Sequence, residues 1–245
     1  MAFKFLPKER RIPTLIGITV LVLGIGAAAY LTQTVQRFFL KAEPTIAPQD
    51  VKISNVFSDG FTISWLTAGT PATGYVIYGQ GSSLEEKGLD IRDQGIESLA
   101  QETIHYVEIK NLRPETTYYF KIVSQGKTYD NDGSPYKVVT APVISSSPAS
   151  NPAYGLVFTG DEKYPGKGIV FLTVGKSATL STLITSSGNW LIPLNALRAS
   201  DLRSYLTIKE DDSIEIFVQG EEKTAKAVST LRHLARPTDY FRADP

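Results

Sequence analysis

From Ile12 to Leu31 the chain carries twenty consecutive uncharged residues, ten of them Ile, Leu or Val, and beyond Pro44 the pattern changes to short alternating runs. A helix rising about 1.5 Å per residue makes that first run roughly 30 Å long, the thickness of a bilayer's hydrocarbon core. A single transmembrane helix is expected over residues 12–32. Pro13 falls at its start, where the missing N–H had no intrahelical partner. Lys4, Lys8, Arg10 and Arg11 precede the run, against Arg37 and Lys41 after it. Cationic residues are retained inside, so residues 1–11 form a basic cytoplasmic N-terminus, 33–43 a juxtamembrane segment, and the rest lies outside the cytoplasm. The alternative is a cleaved signal peptide, with Ala27, Ala28 and Ala29 as the small-residue site and the product secreted. Signal cores run about 7 to 15 residues, so the length here favours an uncleaved anchor, as do the interfacial aromatics Tyr30, Phe38 and Phe39.

Past Pro44, β-branched and aromatic runs are broken every ten or so positions by Gly, Pro, Asn and Asp, the pattern of an all-β sandwich. Phe61, Ile63 and Trp65 alternate with Thr62 and Ser64, which puts the apolar three on the core side of one strand. Val76 and Tyr78, then Val107 and Ile109, follow the same period of two. The Ser/Pro-rich stretch 143–152 reads as an interdomain linker. A second set of strands follows at Tyr154 to Thr159, Ile169 to Val174, Thr179 to Thr185, Trp190 to Leu194, Ser213 to Val218 and Thr224 to Ser229. Between them Leu197, Leu202 and Leu206 suit a short helix capped by Asn195 or Ser200. Residues 231–245 read as a loosely ordered tail, with Arg232, Arg236 and Arg242 around Leu234, Tyr240 and Phe241. The expected fold is therefore all-β: two tandem immunoglobulin-like β-sandwiches, at 44–142 and 153–230, after one N-terminal transmembrane helix.

The stretch Leu112-Arg-Pro114-Glu-Thr116-Thr-Tyr118-Tyr-Phe120-Lys-Ile122 resembles the E-to-F corner of a fibronectin type III domain. The resemblance runs over residues 44–142, with Trp65 matching the family's buried strand-B tryptophan and Tyr136 to Thr140 its last strand. It implies that the Tyr118 hydroxyl bonds back to the corner's backbone while the ring packs in the core. The phrase around Trp65 and Val76-Ile-Tyr78-Gly79 also looks like the fibronectin-like domain that precedes the catalytic half of purple acid phosphatases. No run of Asp, Asn and His able to bind two metals follows it. In the second set, Gly155 to Phe158, the Pro165-Gly turn, Gly168 to Leu172 and Ser187-Gly188-Asn-Trp190 are similar to carboxypeptidase-regulatory-like, or transthyretin-like, domains. Ser186 or Ser187 stands where those domains carry an acidic residue.

The 245 residues leave room for two domains beyond the span, and the absence of cysteine removes disulfides and thiolate chemistry, so stability must come from packing. Formal net charge is zero, without a basic stripe, which sets nucleic-acid partners aside. Asp130-Asn-Asp132-Gly133 lacks the closing glutamate of a calcium loop and reads as a turn. Glu85, Glu86, Asp90, Asp93, Glu97 and Glu102 are expected on a solvated loop, without the frame that a pair of glycosidic carboxylates requires. His105 has no nucleophile motif beside it and is expected on a strand surface. Gly175-Lys176-Ser177 lacks the opening glycine of a phosphate-cradling loop, because Val170 stands there, and reads as a turn. The sequence thus assigns no catalytic, cofactor-binding or metal-ligating residue.

These readings point to a membrane-anchored structural or binding protein of the cell envelope, not an enzyme, meeting an envelope protein or polysaccharide. Its binding loops would be Ser82 to Glu102 and Asp130 to Ser134. Tyr75, Tyr119 and Tyr129 are the loose candidates for sugar stacking. The alternative is an accessory module or subunit of an extracellular hydrolase.

Overall fold

The computed structural model describes residues 45–81, 83–149, 152–158, 166–221, 223–234 and 240–242. The expected transmembrane helix lies outside them; among the described residues, no helix is long and apolar enough to cross a membrane.

Eight strands make the first sandwich: β1 (Pro48–Ser54), β2 (Phe61–Thr67), β3 (Gly74–Gly79), β4 (Glu86–Leu89), β5 (Ile104–Ile109), β6 (Thr117–Ser124), β7 (Lys127–Tyr129) and β8 (Tyr136–Val139). One sheet has the order β1-β2-β5; in the other, β4-β3-β6 continues to both β7 and β8 along β6. Antiparallel register places Ile63 opposite Val107 and Trp65 opposite His105. The period-two residues Phe61, Ile63, Trp65, Val107 and Ile109 therefore meet Val76, Tyr118, Phe120, Ile122 and Val138 in one core. Each such side chain contributes about 1.5–3 kcal/mol on burial.

The second sandwich holds β9 (Ala153–Phe158), β10 (Gly168–Val174), β11 (Leu180–Leu183), β12 (Asn189–Ile192), β13 (Ser213–Gly220), β14 (Thr224–Thr230) and β15 (Tyr240–Arg242), with a one-turn helix α1 (Leu231–Leu234). Its sheets run β11-β10-β13-β14 and β12-β9-β15. Val170, Leu172, Ile214, Ile216 and Val218 face Val157, Trp190 and Ile192 across its core.

A third apolar cluster joins the two. Ile104 and Tyr106, on the back of β5, pack with Ile169 and Phe171, on the back of β10. For this reason β2, β5 and β10 are buried on both faces, and Thr62 and Ser64, polar in an alternating strand, are inside. The sheets of the two sandwiches are thus stacked back to back within one compact unit, residues 45–245.

Three expectations change. Asn195 to Leu206 is not a helix but a 3-10 turn (Leu194–Ala196) followed by bridges from Ala199 to Ser177 and from Arg198 to Tyr205. Leu194 and Leu197 enter the core from that turn, while the Arg198 guanidinium donates to the carbonyls of Leu202 and Pro142, which holds the segment extended. The acidic stretch contains β4, and its Asp90 and Asp93 are buried. Within the tail, α1 and β15 are ordered elements, because β9 offers an open edge to which β15 adds in parallel.

Candidate functional site

At the fibronectin corner the Tyr118 hydroxyl accepts the Arg113 N–H at 3.0 Å and the Gln80 amide at 3.1 Å. The ring stays in the core beside Phe61. This is the staple that the resemblance implied. Beside it opens a cleft of about 560 Å³ lined by Tyr78, Gln80, Glu85, Glu86, Lys110 and Arg113 among others. Burial, with the charge of Glu86, pushes the Tyr78 phenol above its ordinary value, so it remains a neutral donor. Part of the expected binding loop, Ser83 to Glu86, lines this cleft. The other loop, Asp130 to Ser134, is a tight turn: Asp132 and Gly133 have positive φ of 50° and 88°, and the Asp130 carboxylate accepts the Gly133 N–H at 3.0 Å.

The densest polar chemistry lies at the junction of the sandwiches. Asp90 is 1 % exposed and accepts four bonds, from Arg92 N–H, Nε and Nη2 and from the Tyr106 N–H. Burial alone would raise its carboxyl, but the Arg92 hydrogen bonds and charge, with the Tyr106 N–H, outweigh it and hold the pKa below the ordinary value. Arg92 also reaches Glu102, which Lys167 of the second sandwich approaches at 2.6 Å. Thr103 and Glu221 make a second hydrogen bond across the junction. Asp90 and Glu102 are turned toward cations within the fold, an arrangement that secures a joint.

His105 is not on the surface: it is 1 % exposed and stacks on Trp65, with ring centroids 4.6 Å apart. Its position opposite Trp65 in the ladder puts it in phase with the core. Burial pushes its pKa down to about 4, with Asp90 and Glu102 opposing and Arg92 assisting, so the ring is neutral at physiological pH. Gly74 makes room for it, since a Cβ there would stand 2.4 Å from Nδ1. Among the described residues no group of three or more His, Cys, Asp or Glu is placed to hold a metal ion.

Sequence reasoning missed Asn55. This residue follows β1 with a φ of 50°, a backbone that Asn tolerates. Its Oδ1 accepts the Ser181 N–H at 2.8 Å, its backbone N–H donates to Thr179 O at 3.0 Å, and its amide hydrogens face Thr62 Oγ1, Tyr106 Oη and Ser181 O at 3.0–3.1 Å. One side chain of the first sandwich thereby acts as a short strand against β11 of the second. Ser54 and Ser181 hydroxyls join the group at 2.7 Å. The only signal available was the Ser54-Asn55 pair at the end of an alternating run, which reads equally well as a turn.

A family model described as "Fibronectin type III domain" matches residues 46–140, and that part of the chain is a fibronectin type III domain. No curated protein matches the chain. Among solved structures, the sensor domain of the anti-sigma factor RsgI4 of Pseudobacteroides cellulosolvens is 17 % identical, with a TM-score of 0.31, and the match covers 42 % of this chain and 99 % of that one. Chicken CNTN1 domains FN1–FN3 are 12 % identical, TM-score 0.27, over 80 % of this chain and 66 % of theirs. A two-domain fibronectin type III segment of chicken tenascin is 10 % identical, TM-score 0.26, over 75 % and 98 %. The family model, not these likenesses, carries the assignment.

Proposed function

We propose that this is a single-pass, membrane-anchored protein whose β-sandwiches stand outside the cytoplasm as a structural or binding arm of the cell envelope. The second sandwich, on this reading, is a carboxypeptidase-regulatory-like module serving as a fixed extension of the fibronectin type III domain. The observation that carries the reading is the buried joint: Asn55, Tyr106 and Ser181 together with Ile104, Ile169 and Phe171 tie one module to the next. A joint of that kind suits presentation of a surface at a set distance and orientation better than it suits a hinge around a substrate. The apolar run from Ile12 to Leu31 with its basic flank supports the anchor.

The test uses the full chain in intact cells. Membrane fractionation should retain it, and protease added from outside should remove epitopes within 45–245 while sparing one placed before Lys4. Incubating the solubilised protein with wall polysaccharides and envelope extract should give retention without hydrolysis. Recovery from the cytosol, protection of the C-terminal epitope, or turnover of a polymer refutes the proposal.

A further inference from the structure

We propose that β14 is a homotypic docking edge, through which two copies of this chain pair antiparallel about a two-fold axis at Ala227. Among the described residues no strand lies beyond β14 in its sheet. The other sheet edges among the described residues are short, bulged or covered: β1 is broken by a bulge between Gln49 and Lys52, β4 (with Glu86 and Lys87), β8 and β12 are four residues each, β7 and β15 three, β5 is bridged by Asp90, and β11 is capped by Asn55. Short strands, charges and bulges are the usual defences of an edge. By contrast β14 has seven residues in unbroken register with β13, no proline, one charged residue, and Val228 72 % exposed.

The ladder's phase fixes which groups are free. Gly220 N–H donates to Lys223 O at 2.8 Å, so the pairs alternate from there and the N–H and C=O groups of Thr224, Lys226, Val228 and Thr230 point away from β13. A second β14 centred on Ala227 sets Thr224 opposite Thr230 and Lys226 opposite Val228, and this register makes about eight inter-copy hydrogen bonds. Charge selects the same register. Glu215 of β13 flanks Val228 on the exposed face, so the copy's Lys226 lies beyond Val228 at about 10 Å from the Glu215 backbone, a span the two side chains bridge. Slipping two residues one way sets Lys226 against Lys226; slipping the other way loses a hydrogen-bonded pair.

The chain has no cysteine, so single introduced cysteines report the pairing in the full-length protein purified in mild detergent. In a non-hydrogen-bonded antiparallel pair, Cα atoms are about 4.5 Å apart, inside the disulfide range. Oxidised Ala227→Cys should become a disulfide dimer at least tenfold more than Ala225→Cys, whose copies stand about 14 Å apart along the strands. An equimolar mixture of the exposed variants Lys226→Cys and Val228→Cys should cross-link where neither does alone, which covers the case of Ala227→Cys failing to fold. Val228→Lys, which faces Lys226 of the copy, should abolish cross-linking of Ala227→Cys. Equal cross-linking of the two alanine variants, none from Ala227→Cys and the mixture, a dimer that survives Val228→Lys, or an edge occupied only by another protein's strand overturns the proposal.

Discussion

Replacing Asn55 by alanine tests whether the two sandwiches stand as one body. The substitution removes the acceptor of the Ser181 N–H and the donor facing Tyr106 Oη and Ser181 O, both partner residues being buried. Leaving one buried N–H unsatisfied costs about 1–3 kcal/mol. Holding alanine at the φ of 50° that Asn55 adopts adds roughly 1 kcal/mol. Asn55→Ala should therefore lower unfolding free energy by about 3 kcal/mol, and Asn55→Gly, free of the backbone term, by about 2 kcal/mol. Urea denaturation of the segment 45–245, followed by tryptophan fluorescence, provides the assay. Trp65 lies in the first core and Trp190 in the second, so both modules are seen. In the wild type a single transition is expected; in Asn55→Ala the midpoint falls and the transition divides as the joint weakens. A loss below about 0.5 kcal/mol, the range of an ordinary surface change, would refute the reasoning.

The neutral burial of His105 predicts acid sensitivity. Its folded pKa, about 4, lies below the ordinary histidine value of 6.5, so the unfolded chain binds the proton first and stability declines as pH falls between those values, by about 3 kcal/mol in all. The depressed carboxyl of Asp90 acts below the ordinary aspartate value of 3.8, so a wild-type slope between pH 6.5 and 4.5 that vanishes in His105→Phe identifies the histidine in pH-dependent melting. Gly74→Ala should destabilise by about 1–3 kcal/mol in urea titrations, and His105→Ala should relieve part of that cost in the double variant, because the new Cβ meets His105 Nδ1. Arg92→Leu should cost about 3–5 kcal/mol by leaving the buried Asp90 carboxylate unpaired, with partial recovery on adding Asp90→Asn. Tyr118→Phe removes the acceptor of the Arg113 N–H and should lower the thermal midpoint, at about 1–2 kcal/mol.

What could be read from the chain was whatever depends on a strand and its immediate core. Alternation placed Phe61, Ile63 and Trp65 inside, and the spacing from Leu112 to Tyr118 placed the staple, because both signals are local. The junction depends on residues far apart in the chain, Asn55 with Ser181 126 positions on and Tyr106 with Phe171 on a different module, and alternation assigns Thr62 and Ser64 to water when a second module covers them. The doubly apolar runs of β5 and β10 carried that information, since a strand facing solvent on one side has no need of Ile104 and Tyr106 beside Val107, or of Ile169 and Phe171 beside Val170. His105 was misplaced for a related reason: its phase pointed inward, but its polarity suggested water. The leucines of Asn195 to Leu206 fit a helical period equally well as a turn followed by extended chain, and the decisive partner, the Pro142 carbonyl, lies fifty-six residues earlier.

The back-to-back stacking of the sheets also bears on how the molecule is made. Synthesis delivers residues 45–140 first, whereas β10 and β13, which cover Tyr106 and Ile104, arrive roughly thirty to eighty residues later, several seconds at ordinary elongation rates of about 5–20 residues per second. Throughout that interval the nascent fibronectin module presents an oily flank with Tyr106 and Asn55 unmatched. A chaperone meeting the growing chain would find its grip there, and would be released by the arrival of the protein's own second half.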